Sequence, residues 1–513
     1  MSTGTVDTQR RLDDQHLALF GYRREFRRVF TKFGAFGISF SIIGLFPSIA
    51  SVLGYAIPNG GTASMVWGWL TASVFILAIG LAMAELASAI PTSGGLYFWT
   101  YQYASPQWRK PLAWAVGYCN TIGCIAAVAS IDWGCATQIM AAATLTNPSF
   151  SPAVGETFAV YLAVVISHAL LCCFKTSVLA HLQNAYVILN IALCLGILIA
   201  VPIATPKEYH NKASYALGEF TNLDGWPNGF AFILSWMSPV WTICSFDASV
   251  HISEEVVSAA TAVPWGIVLA VSTSGVLGTA ILITLSFFMG TDMEAIANNP
   301  IGQPMATILF NSLGKKTTLA FWVIMVTVQY MMGSSMLLAA SRQTFAFARD
   351  GALPFSTYLY RLNSFTEAPV NTVWFSAVGA ILLGLLAFAG PAAIDAVFAL
   401  SVVGLYVAYS IPIICRFCAP PDTFRRGPFH LGRWGRPVAV VAVLFMALIS
   451  VIFLFPSRPQ TNRTDMNYTI VVMGVVLLLS FAWYYVHGKN EFQGPRSTTT
   501  TRLLPPRQGQ GQT

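Results

Sequence analysis

Phe40-Ser41-Ile42-Ile43-Gly44-Leu45-Phe46-Pro47-Ser48 lies in the middle of a hydrophobic stretch that runs from Phe33 to Ala56 without a charged residue. As a helix, a stretch of that length crosses a bilayer hydrocarbon core of about 30 Å. A helix that only anchors has no use for Gly44 and Pro47 at its midpoint. Glycine costs roughly 1 kcal/mol against alanine in a helix interior, and proline removes a donor and clashes with the preceding turn. Both fit a broken helix. Gly44 lets the backbone unwind, and Pro47 falls in the first turn of a helix that restarts. The amides of Gly44, Leu45 and Phe46 are then expected free at the positive end of the second half-helix, near the midplane, where an anionic group docks. The alternative left open by this stretch is a kinked packing helix, with Gly44 giving close approach to a neighbour.

Composition sets the frame. Hydrophobic residues make up 55% of the 513 and charged ones 10%, with a mean hydropathy of +0.62. Soluble domains carry about 25% charged residues, so the chain reads as an all-α, polytopic membrane protein. The nine cysteines fall mostly inside hydrophobic spans and read as buried thiols. Cys415-Arg416-Phe417-Cys418 is a lone CxxC without a second ligand pair, so neither metal nor cofactor is expected. No P-loop, HExxH or GxSxG occurs, which argues against an ATP-driven pump or a membrane hydrolase, and the protein is not expected to be an enzyme. The first 32 residues are polar and lack the apolar core of a signal peptide.

Twelve spans are expected, near 33–56, 64–88, 112–142, 156–174, 183–204, 229–252, 263–289, 318–344, 371–390, 393–416, 437–456 and 468–487. Twelve crossings put both termini on one side. Assigning that side to the cytoplasm leaves 22 Lys/Arg inside and 6 outside, which fixes the orientation by the positive-inside rule. Arg23, Arg24, Arg27, Arg28 and Lys32 flank the first span as part of that bias, so the net charge of +7 points to the lipid bilayer rather than to nucleic acid. Residues 1–32 form an N-terminal tail, and 488–513 a C-terminal tail too poor in apolar residues to fold. The sequons at Asn462 and Asn467 fall in the last outer loop, too close to the membrane to favour glycosylation.

The sixth span, Phe232 to Ser249, repeats the pattern of the first, with Pro239 and the small polar residues Ser238, Thr242 and Ser245 at its middle and Asp247 near its end. Paired interruptions in two half-chains point to an inverted repeat, 33–204 mirrored by 205–416, with 417–487 added and the site at the junction. Direction supplies polarity. The first span offers amides at the midplane and the sixth offers carbonyls around Trp241–Cys244, so one terminus suits a carboxylate and the other an ammonium.

Two segments carry a family resemblance. Ala84-Glu85-Leu86-Ala87-Ser88-Ala89-Ile90-Pro91-Thr92-Ser93-Gly94-Gly95 follows the second span, and Ala340-Ser341-Arg342-Gln343-Thr344-Phe345-Ala346-Phe347-Ala348-Arg349-Asp350-Gly351 the eighth. Both resemble signatures of the amino acid–polyamine–organocation permease superfamily. Ser41–Ser51, Phe246–Glu255 and Ala389–Val397 are similar to its fungal amino acid/choline branch, and most to GABA permeases. The resemblance covers nearly the whole chain outside the tails. It implies a LeuT-type fold of five plus five inverted helices with two more, and proton-driven uptake of a small amino acid or amine at a plasma or vacuolar membrane by alternating access. A choline or polyamine permease, or a nutrient sensor on the same scaffold, is the alternative.

By position, the resemblance implies a substrate site of Ser41, Ile43, Gly44 and Leu45 from the first break and Trp241, Thr242, Ser245 and Phe246 from the sixth span. It also implies gate charges at Glu85 and at Arg342 or Arg349, paired across the closed inner mouth. Some proton-coupled relatives place a lysine in the fifth span, and none occurs between Gln183 and Asn190 here. The rare intramembrane acids Asp132 and Asp247 are therefore the candidates for a proton or amine site. His251, one turn beyond Asp247, is placed to contact it. Trp133, Gln329 and Tyr406 are further candidates for the pocket wall.

Overall fold

The computed structural model describes residues 3–456, 458–459 and 466–496. A helix α1 (Thr3–Leu19) precedes the first span, which is two helices, α2 (Lys32–Ile43) and α3 (Leu45–Ala56), hinged on Gly44 alone. There follow α4 (Gly61–Ala89), the short α5 (Gly95–Tyr103), α6 (Arg109–Thr146), α7 (Val154–Cys172) and α8 (Thr176–Ala204). The second half of the chain holds α9 (Asn228–Leu234), α10 (Met237–Thr242), α11 (Ala248–His251), α12 (Ala259–Phe288), α13 (Pro304–Arg349), α14 (Val370–Ala389) and α15 (Pro391–Cys418). Two more helices, α16 (Gly432–Ile452) and α17 (Thr469–Gly488), end the bundle.

Among the described residues, eleven segments are long and apolar enough to cross a membrane, the α2–α3 pair counting as one. The expected span 229–252 is not among them. It is not one helix but α9, α10 and α11 in succession, interrupted at Ser235–Trp236 and again at Ile243–Asp247. The eighth expected span also differs. Its helix starts at Pro304 and bends at Gly314 (φ 70°, ψ 168°) before entering the bundle.

α3 packs on α10, α4 on α12, α6 on α15 and α13, and α7 on α14. α2 and α3 are buried on nearly every side, whereas α8 and α17 expose rows of large apolar residues such as Ile188, Ile199, Leu478 and Leu479. A helix apolar all round with no protein around it faces lipid. The broken helices therefore stand in the centre, α16 packs on α15 and α4, and α17 packs on α6 and α15 at the periphery.

Both termini dress one face. Asp350, just after α13, accepts from the Tyr22 hydroxyl (2.9 Å) and from the backbone N–H of Arg496 (3.0 Å). Part of each tail is thus built into the fold: Phe492 is buried, and the Asp13 carboxylate accepts from the N–H of Ser258 (2.8 Å). Against the expected disorder of the C-terminal tail 488–513, residues 488–496 are ordered against the bundle, and 497–513 lie outside the described residues, as does the Asn462 sequon. At the second sequon, the Asn467 side-chain amide donates to the carbonyls of Phe453 (2.7 Å) and Phe455 (3.0 Å) and is already engaged.

Candidate functional site

The first break is made by one residue. Gly44 adopts φ 46°, ψ 57°, the left-handed region that costs other L-residues roughly 1–2 kcal/mol. It closes α2 and opens α3 at once. Its N–H donates to the Phe40 carbonyl (3.2 Å) and its carbonyl accepts from Ser48 N–H (2.9 Å). Of the three amides expected to be free, Gly44's is therefore spent on the end of α2, because a left-handed residue after a helix returns its N–H to the last turn. Leu45 and Phe46 stand at the start of the restarted helix, where the Phe46 N–H faces the Cys194 thiol on α8. The Ile43 carbonyl, which α2 leaves unpaired, is taken by the Ser48 hydroxyl (2.7 Å).

The second break runs through Ile243–Asp247. Ser245 is a non-glycine residue at φ 55°, and the N–H of Ile243 returns to Pro239 (2.8 Å) to end α10. The two breaks are tied together, since the Ser39 hydroxyl donates to the Phe246 carbonyl (3.0 Å). Between them lies a closed space of about 10 Å³, no larger than a single water needs. Ile42, Ile131, Trp241, Ser245, Met332 and Ser401 are among its lining. Nearby, the hydroxyls of Ser41 and Thr242 are buried without a partner, a loss of roughly 1–3 kcal/mol each that a polar occupant would recover.

Of the sequence-derived substrate residues, Trp241 and Ser245 line this space. Ser41, Ile43, Gly44 and Leu45 lie in or beside the first break, and Thr242 closes α10. Phe246 is fully buried and its ring packs 5.5 Å from that of Tyr409. The Trp241 indole donates to the Ser130 hydroxyl (3.1 Å) and lies 5.0 Å from the Phe398 ring. Beyond Phe398, towards the face opposite the termini, a pocket of about 80 Å³ opens between Tyr55, Asn59, Met237, Asp395 and Phe453. The Phe398 ring, 6.4 Å from that of Tyr55, thus stands between that pocket and Trp241. Sequence reasoning missed Met332. Its sulfur would stand 2.7 Å from a Cβ at Gly44 and lies 3.3 Å from the Ser48 hydroxyl oxygen, so it fills the room beside the break. Trp133, Gln329 and Tyr406 are not among the residues around the space; Gln329 instead donates to the Ile131 carbonyl (2.9 Å).

On the face of the termini lie two buried ion pairs. Arg349 donates through both terminal nitrogens to Glu254 (3.2 Å each), and Arg342 donates to Glu255 (2.8 Å), with every side chain at most 1% exposed. Glu254 also accepts from the N–H of Ser93 (3.1 Å), and the Arg349 guanidinium stacks on Tyr22 at 3.9 Å. The expected pairing of these arginines with Glu85 is corrected here. Glu85 sits at the foot of α4, where it accepts from the N–H of Leu431 (3.3 Å) and meets Arg416 at 4.0 Å. The glutamates after α11 reach the arginines first, because that chain folds back across α13 while α4 turns towards α16. Burial pushes the carboxyls of Glu25 and Asp350, both under this gate, above the usual range, opposed in part by Arg349.

The two candidate acids have separate places. Asp247 stands at the N-cap of α11 without capping it. One oxygen accepts from Tyr409 (2.5 Å), and the other lies 3.1 Å from Nε2 of His251, whose Nδ1 faces the Ser93 carbonyl at 3.1 Å. An acceptor thus lies on each side of the ring. Asp132 is not among the residues around the closed space. It is buried at 0% exposure against His168 on α7. The histidine, 36 positions away, has no sequence signal that marks it as a partner.

The family model described as amino acid permease matches residues 30–476. The chain is 38% identical to the GABA-specific permease of Saccharomyces cerevisiae over 489 residues, covering 94% of this chain and 86% of that one. It is 35% identical to an uncharacterized amino-acid permease of Schizosaccharomyces pombe (95% and 88% covered). To amino-acid permease 2 of Neurospora crassa it is 32% identical (94% and 89% covered).

Proposed function

Because this chain belongs to the amino acid permease family, we propose that it is a secondary active transporter that takes up a small amino acid, GABA or a close analogue, together with a proton. Its two halves, 33–204 and 205–416, move about the paired breaks so that the closed space opens first to one face and then to the other. Both termini lie in the cytoplasm on this reading, and the membrane is plasma or vacuolar.

The observation that carries the proposal is the left-handed Gly44 between α2 and α3, whose neighbour Met332 lines the small, largely apolar space between the two breaks. A carboxylate there accepts from Leu45 and Phe46 in a region of low dielectric, at the positive end of a helix. The amine end reaches the carbonyl terminus of α10 and the hydroxyls of Ser41 and Thr242. An amino acid needs more room than the space now has, so binding displaces Met332 and lifts the Trp241–Phe398 lid. The other wall is the Arg349–Glu254 gate. Closing the lid over bound solute and parting the gate gives alternating access.

The test is uptake of labelled GABA, choline and putrescine by cells that lack their own carriers and express this chain. GABA uptake that collapses when the proton gradient is dissipated is expected. Uptake of choline or putrescine in preference to GABA would replace the amino acid reading, and uptake of none would favour a sensor.

A further inference from the structure

Asp132 on α6 and His168 on α7 meet with Oδ2 3.1 Å from Nδ1, both side chains at 0% exposure. The remaining carboxylate oxygen and the remaining ring nitrogen have no partner. α13 closes over the pair at Gly333, where a Cβ would stand 2.0 Å from Asp132 Oδ1 and 2.6 Å from His168 Cε1. Only glycine leaves room there for two polar side chains. From α6 and α7, Cys135, Tyr161 and Cys172 lie near enough to feel the carboxylate. From α13 the Tyr330 ring packs 4.2 Å from the imidazole. None of these is a cation. Arg342, further along α13, is already bound to Glu255 at 2.8 Å.

With a neutral imidazole, the ionised pair carries an uncompensated negative charge at hydrocarbon depth, a state that membranes disfavour strongly. One proton cancels it, either as a carboxylic acid donating to the ring or as an imidazolium facing the carboxylate. Asp247 differs, because both of its oxygens already have partners. Asp132 and His168 each keep one polar atom without a partner.

We infer that Asp132 and His168 form a proton-binding site directly behind the solute site, and that its occupancy is coupled to solute binding. This rests on the reading of the chain as an amino acid–proton symporter. The geometry of coupling is short. Ile131 and Met332 line the closed space, and the next residue of each helix, Asp132 and Gly333, forms the dyad and its wall. A carboxylate arriving at Leu45 and Phe46 displaces Met332, and that movement carries Gly333 against or away from the pair. The proton comes from the outer solution with the solute and leaves on the other face when Met332 returns.

The experiment uses purified full-length protein in two readouts. The first is infrared difference spectroscopy between about pH 8 and about pH 5, reading the carbonyl stretch of a protonated buried carboxyl. The second is GABA affinity at the same two pH values. The parent should show the acid-induced band and bind GABA about tenfold more tightly at the lower pH. Asp132→Asn should lose the part of the band that the Asp132 carboxyl contributes, leaving that of the other buried carboxyls, and its affinity ratio should fall to about one. His168→Gln, which keeps a donor towards Asp132, should move the band to a different pH, and it serves where Asp132→Asn does not fold. A band and an affinity ratio unchanged in both variants would overturn the inference. If the parent binds no GABA, the amino acid reading falls, and loss of that part of the band in Asp132→Asn decides the proton site by itself.

Discussion

Removing the Arg349 guanidinium should spring the gate on the face of the termini. In the closed state Arg349 makes two bonds to Glu254 and stacks on Tyr22, with no solvent in reach of either charge. Arg349→Met leaves Glu254 buried with only the Ser93 N–H as partner. Breaking such a pair costs about 3–5 kcal/mol, because one charge stays desolvated. In the open state Glu254 is hydrated, so nearly all of that cost falls on the closed state. The open population should rise roughly 100- to 5,000-fold, at one decade per 1.4 kcal/mol. Ser93 reports the change. It is buried, its hydroxyl has no partner, and cysteine replaces it with little change in volume. In a Cys418→Ser background, which removes the exposed native thiol, Ser93→Cys should react with a bulky thiol reagent far faster when Arg349 is methionine. Adding Glu254→Met should bring the rate back towards the parent's, since an apolar pair no longer strands a charge. A single variant that labels at the parent's rate, or a double variant as fast as the single, would refute the reasoning.

The same reporter gives a pH prediction. The Glu25 and Asp350 carboxyls have raised pKa values in the closed state through burial. The closed state therefore holds more protons than the open one between the ordinary and the raised values. Their penalty is full above the raised pKa and vanishes below the ordinary one. Labelling of Ser93→Cys, corrected against a surface cysteine, should slow as the medium on that face is acidified towards the ordinary carboxylate range, and a faster rate would contradict it. At the lid, Trp241→Phe removes the bond to Ser130 while keeping a ring against Phe398. The loss of about 1 kcal/mol from the occluded state should raise the rate of solute release about fivefold, measured by efflux from loaded vesicles. Met332→Ala enlarges the space beside Gly44 and should shift preference towards bulkier amino acids in competition assays. An unchanged order of competitors would show that Met332 does not limit the site.

Much of the architecture could be read from residue types at the two breaks. Gly44 and Pro47 are costly in a plain helix and fitting in a broken one, and Pro239 with Ser238, Thr242 and Ser245 repeats the message. The details that depend on how far each helix rotates about its axis were not legible. The break is a single residue, so the Gly44 amide serves α2 instead of a ligand. The gate arginines are 87 and 95 positions from their glutamates, and Glu85 carries the same charge in an equally suggestive motif. His168 reads as an isolated polar residue in an apolar helix, and its meaning appears only when Gly333 lets α13 approach. Met332 is one methionine among 15, marked by nothing but its position against the break.

The central claim is that the α3 amides hold a carboxylate, and competition among three solutes tests it most directly. GABA, its methyl ester and putrescine are offered against labelled GABA, in the parent and in Gly44→Val. Loss of the carboxylate forfeits charge-assisted bonds worth roughly 1.5–3 kcal/mol each, so the ester and putrescine should compete at least tenfold more weakly than GABA. Gly44→Val forces a stiff, β-branched residue into a left-handed conformation with its Cβ 2.7 Å from Met332 Sδ. It should abolish uptake while the protein still reaches the membrane. An ester that competes as well as GABA would contradict the account and leave the break in the first span as a hinge or a cation site.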